Sequence, residues 1–287
     1  MKFRFVQENR ETFRVGQMCM MLQVSRSGFY TWLRRPPSDR EQSDAALVEC
    51  IRLVHSQNRR AYGSPRIYNA LRQDGHRVGR HRIARLMRLE GLRGGAAKRF
   101  RFTSNKHQDL PAAPNLLDRN FQPPAPNRVW AADITQVRTH EGWLYLAVVL
   151  DLFSRRCVGW ATSPRPDQRL SIEALRNAIT NRRPASGLLH HSDRGGQYLS
   201  ADYQDFLDRH GMLCSMSRPG NCLDNAVVES FFHTLKTEWL YHHRFRTRSQ
   251  AQLYIFDYIE GFYNRTRLHS TLGYRSPIDY ETVTSAA

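Results

Sequence analysis

Three acidic residues in the second half of this 287-residue chain stand where an acid needs a reason. Asp133 lies inside the strand-like stretch Trp130-Ala131-Ala132-Asp133-Ile134-Thr135. A charge in a strand bound for a core is costly unless it is used or paired. Asp193 follows a short strand-like run, in His190-His191-Ser192-Asp193-Arg194-Gly195-Gly196-Gln197-Tyr198. Strand ends of this kind are where sites form in α/β sheets, and the glycine pair lets backbone come close to a ligand. Glu229 sits in the helical stretch Asp224-Asn225-Ala226-Val227-Val228-Glu229-Ser230-Phe231-Phe232, with 35 residues between it and Asp193.

Three converging carboxylates are the donor set of a hard cation. Mg²⁺ and Mn²⁺ prefer carboxylate and water oxygens. Two such ions about 4 Å apart activate an attacking oxygen and stabilise the leaving oxygen of a phosphodiester. No Cys or His set in the chain has zinc-ligand spacing. Taken singly, each acid has a plain reading: Asp133 paired with an arginine, Asp193 in a turn, Glu229 on a solvated helix face. Taken together, on strand, strand end and helix, they favour the metal reading.

The elements that must position them are legible in outline. Val129–Thr139, Trp143–Asp151 and Arg156–Thr162 read as three strands, with turns at Glu141-Gly142 and Ser154-Arg155. A helix over about 167–181 leads to a strand over 188–191, and a helix over 200–210 leads to a strand over 212–217. A longer helix over about 225–241 follows. Three antiparallel strands followed by alternating helices and strands predict an α/β fold, a mixed five-stranded sheet with flanking helices. Ribonuclease-H-like domains share this order of elements.

The first half is different. Residues 1–128 carry 25 Lys and Arg against 10 Asp and Glu, while residues 129–287 carry 18 against 16. All but four of these basic residues are Arg, the residue suited to bidentate contacts with phosphate and guanine. Such asymmetry points to a nucleic-acid contact in the basic half. Val15–Leu22 and Ser27–Leu33 read as a helix–turn–helix around Gln23-Val24-Ser25, with Arg26, Ser27 and Arg34 facing DNA. A second helical block follows Pro36-Pro37. Asp44–Gln57 is amphipathic. Ser64-Pro65 reads as an N-cap and first helical position, and that helix runs to Asp74 before Gly75. A third helix over Arg80–Glu90 has Ile83, Leu86, Met87 and Leu89 toward a core and Arg80, Arg82, Arg85 and Arg88 on a cationic face. Residues 94–128 read as a linker, with Arg99 and Arg101 alternating with Phe100 and Phe102, then prolines from Pro111 to Pro126.

Composition excludes other classes. The apolar run Leu144–Leu150 is far short of the ~20 residues that span a bilayer, and the first residues lack a signal-peptide core. The cysteines are Cys19, Cys50, Cys157, Cys214 and Cys222, an odd number without a C-x-x-C, which predicts free thiols in a reducing cytoplasm.

Trp130–Thr135, His191–Tyr198 and Asn225–Lys236 resemble the three signature blocks of DDE transposases and retroviral integrases. Tyr62-Gly63-Ser64-Pro65-Arg66-Ile67, Gly79-Arg80 through Gly91-Leu92, and the tail motifs Tyr263-Asn264-Arg265, His269-Ser270-Thr271-Leu272-Gly273-Tyr274 and Ser276-Pro277 resemble the second reading frame of insertion-sequence-3 family transposases. The likeness spans almost the whole chain. It implies Asp133, Asp193 and Glu229 as catalytic, metal-binding residues for Mg²⁺ or Mn²⁺, with two ions expected. It also implies a basic residue seven positions after the glutamate, where Lys236 stands. Positions i and i+7 share a helix face, so Lys236 could grip a phosphate of the element end. His233 lies one turn from both and could also face DNA; Asn225 could orient Glu229 or touch DNA. The retroviral His₂Cys₂ zinc domain is missing.

The implied partners are double-stranded DNA at the element ends and target, further copies of the chain to synapse two ends, and an upstream-frame product or a frameshift fusion with it. The expected division is 1–37 helix–turn–helix segment, 38–95 helical DNA-binding domain, 96–127 linker, 128–245 catalytic core and 246–287 helical extension. Two other functions fit the same residues: a ribonuclease-H-like nuclease that cuts without joining, and a DNA-binding regulator without catalysis.

Overall fold

In the computed structural model, residues 1–95 and 112–285 are described. Arg99 to Phe102 and Pro111 lie outside them. Contacts divide the chain into two units, Met1–Cys50 and Ile51–Ala287.

The first unit holds α1 (Lys2–Asn9), α2 (Val15–Met21), α3 (Arg26–Arg34) and the start of α4 (Asp39–Gln57). Val6, Met18, Cys19 and Phe29 form its core, with Phe3, Leu22 and Leu33 against them. The predicted helix pair is present as α2 and α3. The Ser25 hydroxyl caps α3 by accepting the Gly28 N–H at 2.9 Å. Arg26, Ser27 and Arg34 are exposed. Helix α1 is an addition to the sequence reading. No side chain caps its start, so only tertiary burial of Val6 marks it.

In the second unit, α5 (Ser64–Gln73) and α6 (Arg80–Leu89) pack on each other. Two expectations are corrected here. Gly63, not Ser64, is the N-cap of α5, because Ser64 already lies in the first turn beside Pro65. Leu89 is 70% exposed, because it falls off the buried stripe of Ile83, Leu86 and Met87. Arg80 and Arg88 are exposed, while Arg82 and Arg85 are half-buried. Gly75 and Gly91 stop the two helices with left-handed backbone, at φ +85° and +66°.

The sheet follows: β1 (Val129–Thr139), β2 (Gly142–Asp151), β3 (Cys157–Ser163), then α7 (Gln168–Arg182), β4 (Leu189–Ser192), α8 (Gly196–Leu199), α9 (Ala201–Arg209) and β5 (Leu213–Met216). Its order is β3-β2-β1-β4-β5, antiparallel through β1–β3 and parallel from β1 to β4 to β5. This is the mixed sheet the sequence predicts. Strand alternation sends Trp130, Ala132 and Ile134 into a core with Leu170, Ala174, Leu175 and Leu207 of α7 and α9. Gly159 is required there: a Cβ on it would fall 2.4 Å from the Ala174 carbonyl.

Helix α10 (Ala226–Glu238) packs against β1, and α11 (Arg248–Phe256), a π-helical stretch (Asp257–Tyr263) and α12 (Pro277–Ser285) complete the chain. Helix α10 ends three residues before the predicted Tyr241, and Leu240–His242 forms a separate 3₁₀ turn. Cys19, Cys50, Cys157 and Cys214 are free thiols. Among the described residues no helix is long and apolar enough to cross a membrane.

Candidate active site

The parallel pairing of β1 with β4 aligns the two aspartates. Val129 pairs with Leu189, Trp130 with His190 and Ala131 with His191. Carrying that register two residues on brings Asp193 to the level of Asp133. Asp133 alternates away from the Trp130–Ile134 face, toward the side on which α10 packs. Its Oδ1 accepts the N–H of Ile134 at 2.7 Å. Asp193 lies just past the end of β4, and its Oδ1 accepts the Gly195 N–H at 2.9 Å, which turns the chain into α8. A Cβ on Gly195 would fall 2.3 Å from the Gln197 side-chain amide. Gly195 has φ −63°, neither glycine has positive φ, and a Cβ on Gly196 would meet open space.

Helix α10 brings the third acid. The Asn225 amide, at its N-cap, donates to the Ala132 carbonyl at 3.2 Å. That bond pins the helix start beside Asp133, and Glu229 lies one turn along. Asn225 is only 4% exposed, and its Oδ1 is buried without a hydrogen-bond partner among the described residues. It ties helix to strand rather than presenting itself at the surface. His233 is half-buried. Lys236 is 9% exposed and lies within the field of Asp133.

The electrostatics show the three acids act on one another. Burial, then the charges of Asp193 and Glu229, push the Asp133 carboxyl well above its ordinary value; the Ile134 N–H and Lys236 pull it down. Burial also raises Asp193, against the Gly195 N–H. Burial and the Asp193 charge raise Glu229. Burial lowers Lys236, while Asp133 pulls it up. Like charges in a half-buried place are relieved by a dication. The donor set, all carboxylate oxygen, suits Mg²⁺ or Mn²⁺. Among the described residues no three His, Cys, Asp or Glu side chains are drawn together at metal-ligand spacing. The fit is therefore one of donor chemistry and shared field.

Two supporting groups escaped the sequence reading. Asp224, immediately before Asn225, is fully buried and gathers three segments. It accepts from the Arg218 guanidinium at 2.8 and 2.9 Å, from Arg119 at 2.9 Å and from Asn115 at 3.0 Å. The Arg218 hydrogen bond holds its carboxyl far below the usual range. His191, two residues before Asp193, is bracketed by Ser215 at 2.9 Å and Ser217 at 3.1 Å, so β5 fixes the end of β4. Burial lowers its pKa to about 4, which keeps it neutral. An acid beside a sequence block and a histidine inside one were the available signals. Their partners, about a hundred residues away in one case, were not.

The integrase core domain family matches residues 123–222 and again 210–277, and the HTH-like domain family matches residues 41–100. The "Insertion element IS600 uncharacterized 31 kDa protein" of Shigella sonnei is 48% identical over 91% of this chain and 96% of its own. "Transposase InsF for insertion sequence IS3A" of Escherichia coli (strain K12) is 42% identical over 98% of both chains. Among solved structures, the simian T-cell lymphotropic virus intasome in complex with PP2A regulatory subunit B56 gamma gives a TM-score of 0.48 at 17% identity, covering 81% of this chain and 74% of that one.

Proposed function

Because the chain belongs to the transposases of IS3-type insertion sequences, we propose that it cuts and joins DNA strands at the ends of such an element. Asp133, Asp193 and Glu229 are the proposed catalytic residues, and they would hold two Mg²⁺ or Mn²⁺ ions. The observation that carries this reading is the field the three acids share, in which the charges of Asp193 and Glu229 both act on Asp133.

When bound, the ions activate the attacking oxygen and stabilise the leaving oxygen of a phosphodiester. The chain's own residues supply the rest. The N–H groups of Ile134 and Gly195 each occupy one carboxylate oxygen, which orients Asp133 and Asp193 and leaves the second oxygen of each for a cation. Lys236 favours the ionised form of Asp133 and, in this reading, steadies a phosphate of the element end. The reaction has two steps: water attacks at the element end and frees a 3′-OH, and that hydroxyl attacks a second strand in line. Both are phosphoryl transfers between oxygens and need no covalent enzyme intermediate.

The arginine faces of α3, with Arg26 and Arg34, and α6, with Arg80, Arg82 and Arg85, are the proposed grips on end DNA. Two ends in one reaction call for several copies of the chain, and the upstream-frame product is a proposed partner. Calorimetric titration with Mn²⁺ tests the metal reading. The wild type should bind it, and Asp133→Asn should lose most of that heat. Equal binding by both proteins would remove Asp133 from the site.

A further inference from the structure

The last residue of α10 is Glu238, nine residues beyond Glu229 and 7% exposed. Arg267 takes both its oxygens, Nε to Oε2 and Nη2 to Oε1, each at 2.7 Å. Tyr258, in the π-helical stretch, donates to Oε2 at 2.9 Å. The remaining donor comes from α5: Arg66 Nη1 reaches Oε1 at 3.4 Å. Its Nε also donates to the Leu268 carbonyl at 3.0 Å.

More bonds join the same two regions. Tyr62, fully buried, accepts the Leu268 N–H at 2.8 Å and donates to the Thr266 carbonyl at 3.2 Å. The Arg59 guanidinium lies 4.0 Å from the Trp239 ring and pairs with Asp257 at 2.8 Å. Beyond α6, a Cβ on Gly95 would lie 3.8 Å from the Glu238 side chain, and within the helical region itself the Gly95 N–H donates to the Ala61 carbonyl at 3.3 Å. A Cβ on Gly94 would fall 2.6 Å from the Gly63 nitrogen. The helix pair α5–α6 is thus riveted to the end of the helix that carries Glu229 and Lys236. Bidentate arginine–carboxylate pairs fix geometry as well as energy.

We propose that the Tyr62–Arg66–Glu238–Arg267 joint fixes the reach from α6 to the Asp133–Asp193–Glu229 centre, and so selects which phosphodiester is cut. This rests on the transposase reading and on α6 as a DNA grip. Phosphate contacts set a protein's register along the duplex. Successive phosphates advance about 3.4 Å along the axis, so choosing one requires a reach held to less than that. Helices tethered only by a flexible chain of about thirty residues would wander by about 30 Å, or roughly nine phosphate steps. The joint removes that freedom. Arg66 and Tyr62 are positioning residues here, Arg66 acting through Glu238 of α10 and Tyr62 through the 266–268 segment whose Arg267 grips Glu238.

The test uses the full chain and end-labelled element-end DNA with Mn²⁺, reading cut positions at single-nucleotide resolution beside end affinity and thermal melting. The wild type should cut one phosphate. Arg66→Met should bind the end with unchanged affinity, cut that phosphate about 10- to 100-fold less, and cut its neighbours as well. Tyr62→Phe, which keeps the ring and loses both hydroxyl bonds, should broaden the cuts in the same way, and it decides the matter if Arg66→Met melts early. Cuts by both variants at the wild-type phosphate alone, at whatever rate, overturn the joint as selector. A wild type that binds the end and cuts nothing overturns the transposase reading itself.

Discussion

The amide of Asn225 reaches the carbonyl of Ala132 at 3.2 Å, joining the first residue before α10 to the strand residue before Asp133. That bond ties the start of the helix that carries Glu229 to the strand that carries Asp133, across 93 residues of sequence. Asn225→Ala breaks it and leaves a buried carbonyl unpaired, a cost of about 1–3 kcal/mol. Strand cleavage should fall about 10- to 100-fold through misplacement of Glu229, with end-DNA affinity unchanged in a gel-shift titration. A loss confined to affinity would instead make Asn225 a DNA contact.

Neutralising an acid should stabilise the metal-free protein. The folded carboxyl of Asp133 sits well above its ordinary 3.8. Its contribution is therefore fully present below pH 3.8 and lost as pH rises through the raised folded value. In EDTA at pH 8, Asp133→Asn should raise the melting temperature by about 2–4 °C, which corresponds to about 1 kcal/mol. Added Mg²⁺ should stabilise the wild type and not the variant. A variant that melts lower in EDTA contradicts the shared field.

Lys236 tests the same field from the other side. Its charge lowers the Asp133 pKa. Without it Asp133 ionises at higher pH, so Lys236→Met should move the acid limb of the cleavage pH profile upward. An unmoved limb with a weaker grip on end DNA would leave only the phosphate role.

Acid should loosen the end of β4. Burial holds His190 and His191 neutral, with pKa values lowered to about 3 and about 4. Unfolded, each takes a proton near 6.5, so their contribution is full above that pH and is lost as pH falls through about 4 for His191 and about 3 for His190. Each adds up to about 1.4 kcal/mol per pH unit to the slope. Denaturant titrations of His191→Asn should show a shallower acid slope than wild type; an equal slope sinks this assignment.

Much of this was legible in the residues. An acid in the middle of an otherwise apolar strand marked Asp133, and Val129–Thr139 forms the strand that its pattern predicts. The helical period placed Glu229 and Lys236 on one face. It could not say that the face is turned inward at Lys236, because burial depends on what packs above it. Nothing local marked Asp224 as buried. Its ties to Arg119 and Asn115 join segments with no local signal. Tyr62 and Arg66 stood out as a motif, yet their contacts with Leu268 and Glu238 span about two hundred residues. Leu89 shows the limit of periodicity: an apolar residue beside the buried stripe of its helix has nothing to cover it.

The central claim is that Glu229 takes part in metal-dependent cutting and joining of DNA. The most direct measurement incubates labelled element-end DNA with Mn²⁺ and wild type or Glu229→Gln, each with and without the upstream-frame product. The account predicts nicked and joined products from the wild type and neither from Glu229→Gln, with end binding retained. Nicks without joined strands would reduce the protein to a nuclease. Equal activity in both proteins, or none from the wild type with a verified end and its partner present, would contradict the account.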